Sequence, residues 1–305
     1  MYGRITPEMV SASTLNDINA ALSSLDRSSA ELSSGKKILE PSDDPYGASR
    51  VIDLNSQIEG LNSYGGAVQD GIAWTQAASG AMSNIGEVVQ RVRELLVEAS
   101  NGTFNEGDLH NIGVEVTQLT EAVKQAANTQ YAGQYVFSGT LTTTAPYKAG
   151  AEDAFQGNTE GIARSIGPNA TVEVSSKLSE VLGSGTGAAD GKLLDTLRTI
   201  AQHLGEATPE SRAALNTTDL KNLDNNMESL IQLEATNGST TDQLKTAATR
   251  IETLENALTK ALSNTQDANI AQVSIAYSSE QAAYSAALRA GANIIQESLL
   301  NFLHE

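Results

Sequence analysis

The sequence has 305 residues, and its 37 acidic and 19 basic side chains give a formal net charge of −18 at pH 7. A chain this acidic repels phosphate backbones, so its composition argues against nucleic acid as a partner. Aromatic residues make up 4% of the chain, so Ala, Leu, Ile, Val, Ser and Thr must supply most of the packing. Such a composition suits long contacts between neighbouring helices.

Cysteine is absent, which excludes disulfides, thiolate metal sites and a cysteine nucleophile. No run of about 18 apolar residues is present, so no transmembrane helix is predicted. The beginning of the sequence, MYGRITPE, lacks the apolar core of a secretory signal peptide. We therefore expect a protein that stays in the cytoplasm or is exported without a cleaved signal peptide.

Apolar residues recur at alternating spacings of three and four, which is typical of long helices in coiled coils or bundles. The first series has Ser29 as its one polar break and contains Leu15, Ile18, Leu22, Leu25 and Leu32. Comparable series begin at Leu54, Leu109, Leu220 and Leu244. These series predict that most of the chain is helical.

Local signals mark the ends of these helices. A capping residue followed by proline predicts a helix start at Thr6-Pro7, Asp44-Pro45 and Thr208-Pro209. The dipeptides Asn101-Gly102 and Asn237-Gly238 predict breaks or turns.

The helical period fails over about residues 131–191. Residues 171–174 alternate with period two and predict a strand, and residues 135–137 and 162–166 predict two more. Four glycines between 183 and 191 predict a loose loop. The middle of the chain is therefore a small β-rich insertion in a helical protein.

The segment from Gln266 onward carries few charges and ends in a cluster of large apolar residues, which are Leu299, Leu300, Phe302 and Leu303. A solvated surface helix carries more charge, so this segment is expected to make contacts on several sides. Burial of five Leu and Ile side chains in the first series stabilises by about 10 kcal/mol, less than the cost of ordering some 30 residues. Both ends should therefore order against each other or against further copies of the chain.

Two passages near the ends are similar to signatures of the flagellin superfamily. The first passage comprises LSSGKKI at 32–38 and SDDPYGA at 42–48. The second comprises DANIA at 267–271, QAAYSAAL at 281–288 and SLLNFL at 298–303. Residues 133–140, GQYVFSGT, and the short middle insertion resemble the members that join the flagellar hook to the filament, although Tyr147 stands where these often have Phe.

The resemblance implies a mainly α-helical fold, with a long coiled coil and a rod-like bundle built from both termini and a small β-rich middle insertion. It implies a terminal coiled coil of residues 1–42 and 266–305 and a helical bundle of 43–144 and 192–265. Residues 145–191 would then form a small outer domain.

The resemblance also implies partners and a location. The partners are further copies of the chain in a ring, the other hook-associated protein, flagellin and a cytoplasmic export chaperone. The location is the extracellular flagellum, reached without a cleaved signal peptide, and no nucleic acid or membrane is expected as a partner. A short flagellin is the alternative, and a chemoreceptor-like signalling hairpin is a third possibility against which the β-rich insertion argues.

The residues expected to form the assembly or chaperone interface lie on the two terminal segments. They are Leu15, Ile18, Leu22, Leu25 and Leu32 near the start, and Ile270, Val273, Tyr277, Tyr284, Ile294, Leu299, Leu300, Phe302 and Leu303 near the end.

No residues in the sequence predict catalysis, a metal site or a cofactor. The three histidines, His110, His203 and His304, lie far apart and lack metalloprotease spacing. Asp43 and Asp44 are interpreted as helix-capping residues rather than a paired-carboxylate site, and Trp74 as a core residue. We therefore expect a structural protein without enzymatic activity.

Overall fold

The computed structural model describes residues 7–100, 104–151 and 153–303, and within these ranges it describes side chains from 9 to 293. The helices are α1 (Pro7–Ser34), α2 (Pro45–Ala99), α3 (Glu106–Ala127), α4 (Ser179–Leu182), α5 (Leu193–Glu206), α6 (Pro209–Ala214), α7 (Leu220–Gln266) and α8 (Ile270–Leu303). A π-helical turn, Leu215–Asp219, joins α6 to α7. The strands are β1 (Gln130–Tyr131), β2 (Gln134–Tyr135), β3 (Ala163–Gly167) and β4 (Ala170–Glu173). The predicted fold class, long helices with a small β-rich middle, is confirmed.

Local capping explains where several helices begin and end. Asp44 Oδ1 accepts a hydrogen bond from the Gly47 N–H at 2.9 Å, and Pro45 is the first residue of α2, as the sequence predicts. Thr208 caps α6 in the same manner through the Ser211 N–H at 3.1 Å. Helix α1 ends at Ser34 and is followed by Gly35, whose φ of +70° is the left-handed conformation that glycine adopts readily. Thr6 lies outside the described residues.

The turn predicted at Asn237-Gly238 is wrong, because α7 runs through both residues without a break. Asn237 is 4% exposed, and its side-chain amide donates to the Thr75 carbonyl at 2.8 Å. Its side-chain oxygen accepts from the Ser176 hydroxyl at 3.0 Å, and Thr241 bonds the Thr75 hydroxyl one turn further on. These buried hydrogen bonds outweigh the local preference of Asn-Gly for a turn. Asn101-Gly102 lies outside the described residues.

Two small antiparallel hairpins form the β-rich middle. Strand β3 pairs with β4, with Ala163 opposite Glu173, which confirms the strands predicted at 162–166 and 171–174. The strand predicted at 135–137 is shorter than expected, because β2 ends at Tyr135 and the next two residues, Val136 and Phe137, turn into the core. Its hairpin with β1 turns at Ala132 and Gly133, which both have positive φ.

The chain divides into two compact units. The terminal unit comprises Met1–Gly60 and Leu254–Glu305, and the central unit comprises Leu61–Thr253. The central unit holds a large core in which Trp74, Met82, Ile85, Leu109, Leu193 and Leu197 are almost fully buried. The terminal unit buries far fewer apolar residues, among them Ile38, Val51, Leu54 and Val273. The division into three parts predicted from the sequence stays a prediction.

Candidate assembly interface

Helices α1 and α8 of the terminal unit pair in antiparallel orientation. At one end, the Ala268 N–H donates to the Gly35 carbonyl at 2.8 Å, and Lys36 and Asp267 form an isolated β-bridge. At the other end, a Cβ built on Gly291 would lie 3.0 Å from Ile18 Cδ1, so glycine at this position lets α8 approach α1 closely. The two terminal segments therefore form the intramolecular coiled coil that the sequence pattern predicts.

The contact surface, here called the seam, follows heptad spacing on both helices. Its residues are partly or fully shielded from solvent and recur at alternating spacings of four and three. They are Thr14, Ile18, Ala21, Leu25, Ser28 and Leu32 on α1, and Val273, Tyr277, Glu280, Tyr284, Ala287 and Gly291 on α8. Large apolar residues thus alternate with small or polar ones along α1.

The structure places the predicted interface residues of α1 on two different faces. Ile18, Leu25 and Leu32 lie in the seam, whereas Leu15 is 57% exposed and Leu22 is 37% exposed. The seam uses Thr14 and Ala21 in their place, because small side chains permit the close approach of α8. Leu15 and Leu22 consequently form an apolar strip beside the seam.

The predicted residues of α8 also differ in their surroundings. Val273 is 8% exposed, and Tyr277 and Tyr284 are half-buried in the seam, whereas Ile270 is 48% exposed. Helix α8 continues to Leu303. The side chains of Ile294, Leu299, Leu300, Phe302 and Leu303 lie outside the described residues.

Exposed large apolar residues concentrate in the terminal unit. Among the described side chains, its exposed members are Met9, Leu15, Leu22, Leu39, Tyr46, Ile52, Leu254, Ile270, Ile275 and Leu288, and those of the longer central unit are Val97, Val114, Leu141 and Ile231. Exposed apolar surface of this extent is typical of protein interaction sites. The terminal unit therefore carries the candidate assembly interface.

Charged residues beside the seam are held by local partners. Arg27 lies 3.2 Å from Glu31 and 3.6 Å from Asp43, and Lys37 donates to the Asn264 carbonyl at 3.2 Å. The backbone N–H groups of Glu40 and Leu39 lower the pKa of Asp43, which accepts hydrogen bonds from both. Asp43 thus stabilises the turn before α2, whereas the contact that caps α2 is made by Asp44.

The chemically notable side chains of the central unit also have structural partners. His203 Nδ1 lies 2.6 Å from a buried carboxylate oxygen of Asp219, and Lys124 Nζ lies 3.1 Å from Asp153 in a pair that is almost fully buried. The Tyr147 hydroxyl donates to the Gly183 carbonyl at 2.7 Å. Burial raises the pKa of Tyr147, and the negative charges of Asp190 and Asp153 raise it further. These contacts hold the middle segment and α5 in place.

Other residues considered from the sequence also have defined positions. Trp74 is 1% exposed and packs edge-on against Tyr131, with 6.2 Å between the ring centroids, which confirms its role as a core residue. His110 is exposed, and His304 lies outside the described residues. Within the part of the chain that the structure describes, no group of three His, Cys, Asp or Glu side chains is arranged to hold a metal ion. In the same residues, no helix has the length and apolar character needed to cross a bilayer.

A sequence model described as the bacterial flagellin N-terminal helical region matches residues 5–142 of this chain. Residues 5–142 are therefore similar to the N-terminal helical region of bacterial flagellin. This flagellin region extends over α1, α2, α3 and the β1–β2 hairpin, and so supplies the α1 face of the seam. It confirms the superfamily to which the motifs at 32–38 and 42–48 point.

The chain is also similar in sequence to whole flagellins. It is 32% identical to the flagellin of Bacillus subtilis (strain 168) over 195 residues, which is 62% of each protein. It is 37% identical to the phase 1 flagellin of Salmonella naestved over 135 residues, 44% of this chain and 27% of that protein. The chain thus spans less than two thirds of the length of these flagellins.

Several solved structures share its fold. The crystal structure of Bacillus cereus FlgL aligns with a TM-score of 0.58 and 20% identity, covering 69% of this chain and 99% of that one. The flagellar hook associated protein-3 of Legionella pneumophila aligns with a TM-score of 0.61 and 14% identity, covering 69% of this chain and 97% of that one. The similarity therefore extends over nearly the whole of these solved chains.

Sequence reasoning missed the small and polar members of the seam. Ser28 is 6% exposed, and its hydroxyl donates to the carboxylate of Glu280 across the seam. Ser28 and Glu280 are polar, so a heptad pattern of apolar residues does not include them. Counting by four and three from Val273 along α8 reaches Glu280, so the signal was present in the sequence.

Proposed function

We propose that this protein is a structural component of the bacterial flagellum that forms the junction between hook and filament. The observation that carries the proposal is the extent of the structural similarity. Hook-associated proteins of known structure align with this chain over 97–99% of their own length. Their TM-scores of 0.58 and 0.61 extend over nearly the whole of those folds.

The terminal unit supports assembly from repeated copies. Its exposed apolar residues include Leu15 and Leu22 on α1 and Ile275 and Leu288 on α8, on surfaces outside the intramolecular seam. Neighbouring copies that bury these residues would form a ring in which each α1–α8 pair packs against the next. The partners proposed beyond the chain itself are the other hook-associated protein on one side and flagellin on the other.

The C-terminal cluster of Leu299, Leu300, Phe302 and Leu303 fits an export chaperone. An amphipathic helix that presents such residues binds well in an apolar groove. We assign this cluster to a chaperone before export and to neighbouring copies after it, with the flagellum outside the cell as the final location. A tail packed on the chain's own bundle is the competing explanation.

Deletion of the gene tests the junction function against the alternative of a short flagellin. A junction protein is needed for filament growth, so we expect intact hooks, no filaments and flagellin released into the medium. Electron microscopy of the cells and immunoblots of the medium measure these outcomes. Loss of the main filament subunit itself, with the junction ring still in place, would favour the short flagellin instead.

The function proposed is structural, and the similarity to flagellin and to flagellar proteins of known structure supports it. The charged side chains buried in the central unit have partners within the unit, as for Asp219 with His203 and Asp153 with Lys124 and Thr186. These contacts hold loops and helices in place.

A further inference from the structure

We propose that the contact between Ser28 and Glu280 determines which helix pairs with α8. The contact is formed when α8 pairs with α1. It is lost, and replaced by repulsion between carboxylates, when the same face of α8 pairs with α8 of another copy. Glu280 is thus a specificity-determining residue for helix pairing, whichever part of the flagellum the protein occupies.

Glu280 forms no ion pair with a described side chain, although Arg27 and Lys37 line the same cavity. Glu280 occupies a heptad position on α8, and the hydroxyl of Ser28, which is 6% exposed, donates to its carboxylate. The nearby Arg27 is engaged by Glu31 and Asp43. Among the described side chains, no basic group forms an ion pair with Glu280. Ser28 is therefore the partner that satisfies this carboxylate.

The large seam residues do not discriminate between partners. Ile18, Leu25 and Leu32 recur every seven residues on α1, and Tyr277 and Tyr284 are seven apart on α8. A parallel pair of α8 helices in heptad register would bring Tyr277 against Tyr277 and Tyr284 against Tyr284, which is acceptable packing. Their apolar character would therefore permit α8 to pair with itself.

Glu280 opposes that alternative. In a parallel α8 pair, the two Glu280 side chains would face each other at the seam, and the basic residue of α8, Arg289, lies nine positions away. Like charges that face each other in an interface disfavour association, and a single polar residue at a heptad position is a known means of selecting partners. In the α1–α8 pair, the carboxylate meets a hydroxyl donor instead.

The selection matters because assembly brings many copies of α8 close together. Helix α8 carries few charges, and Ile275 and Leu288 are 73% and 44% exposed. Without a discriminating residue, such helices would pair among copies and separate from their own α1. The proposal does not depend on the junction function, because it concerns helix pairing in the purified chain.

Cysteine cross-linking in the full-length chain tests the proposal, because the natural sequence contains no cysteine. The reporter is Ala287→Cys, a seam position at which two parallel α8 helices place identical residues side by side. Mild oxidation and non-reducing electrophoresis measure the disulfide-linked dimer. Circular dichroism establishes that each variant is folded.

Four chains with the reporter are compared: no further change, Glu280→Leu, Glu280→Gln and Asp26→Asn. We expect Glu280→Leu to raise the dimer fraction about tenfold or more and Glu280→Gln to raise it less, because Gln still accepts from Ser28. Asp26 is exposed on α1, so Asp26→Asn removes the same charge away from the seam and should change nothing. Equal dimer fractions in all four chains would overturn the proposal, and so would an equal rise with Asp26→Asn.

Discussion

The division of the α1 leucines between two faces leads to a sharp prediction. Leu15 and Leu22 lie outside the seam, and Ile18 and Leu25 lie within it, although all four belong to one helix and one heptad series. Substitution of Leu15 and Leu22 by serine should therefore leave the folded monomer unchanged and weaken the contact between copies. Substitution of Ile18 and Leu25 by serine should instead disrupt the pairing of α1 with α8.

The exposed fractions set the size of the effect. Leu15 exposes 57% of its surface and Leu22 exposes 37%. Full burial of a leucine is worth about 1.5–3 kcal/mol, so burial of the exposed fractions in a neighbour would contribute about 1.4–2.8 kcal/mol per contact. Loss of that free energy weakens each contact between copies by about tenfold to a hundredfold.

The assay compares both double variants in a strain that lacks the chromosomal copy. Far-ultraviolet circular dichroism and limited proteolysis of the purified monomer report the state of α1 and α8. Filament counts by electron microscopy report assembly, with export verified in the medium. We expect the Leu15 and Leu22 variant to have a normal monomer and few filaments, and the Ile18 and Leu25 variant to have proteolysed termini.

Two results would refute the reasoning. Normal filament numbers with Leu15→Ser and Leu22→Ser would show that the exposed strip is not an assembly surface. A large loss of helix in that monomer would show that both leucines pack within the chain, against the exposure found in the structure.

Further predictions concern stability and the chaperone. Asp153→Ala removes one of the two carboxylates beside the buried Lys124, which keeps Glu121 and the Gly150 carbonyl, and it leaves the Thr186 N–H without its acceptor. We therefore expect a loss of about 2 kcal/mol of unfolding free energy, whereas Asp242→Ala in an exposed pair should change it by less than about 1 kcal/mol. Urea unfolding followed by the fluorescence of Trp74 measures both. The pKa of Tyr147 is raised in the folded state, so the Tyr147 hydroxyl ionises at a lower pH in the unfolded chain than in the folded one. The free energy of unfolding should therefore fall as the pH rises above about 10. Tyr147→Phe removes this ionisation, so its urea midpoint should fall less over the same pH range. The double variant Leu300→Ser, Phe302→Ser should weaken chaperone binding in a titration by more than about tenfold. A drop in monomer stability with unchanged chaperone binding would instead favour a tail packed on its own bundle.

Several features could be predicted because they depend on local sequence. The spacing of apolar residues by three and four defines helices, and a capping residue before proline defines where α2 and α6 begin, since these effects act within one or two turns. The period-two alternation at 171–174 similarly defined β4. The terminal motifs indicated the superfamily because they are stretches of contiguous residues.

Tertiary structure decided what local sequence leaves open. Asn237-Gly238 continues as helix because the buried partners Thr75 and Ser176, distant in sequence, satisfy the Asn237 side chain. A heptad series also permits two neighbouring faces, so the sequence established that α1 has an apolar stripe without deciding which leucines it buries. Gly291 brings α8 close to Thr14 and Ile18, and this approach requires small residues in the seam. For that reason Leu15 and Leu22 remain at the surface, and Glu280 meets Ser28.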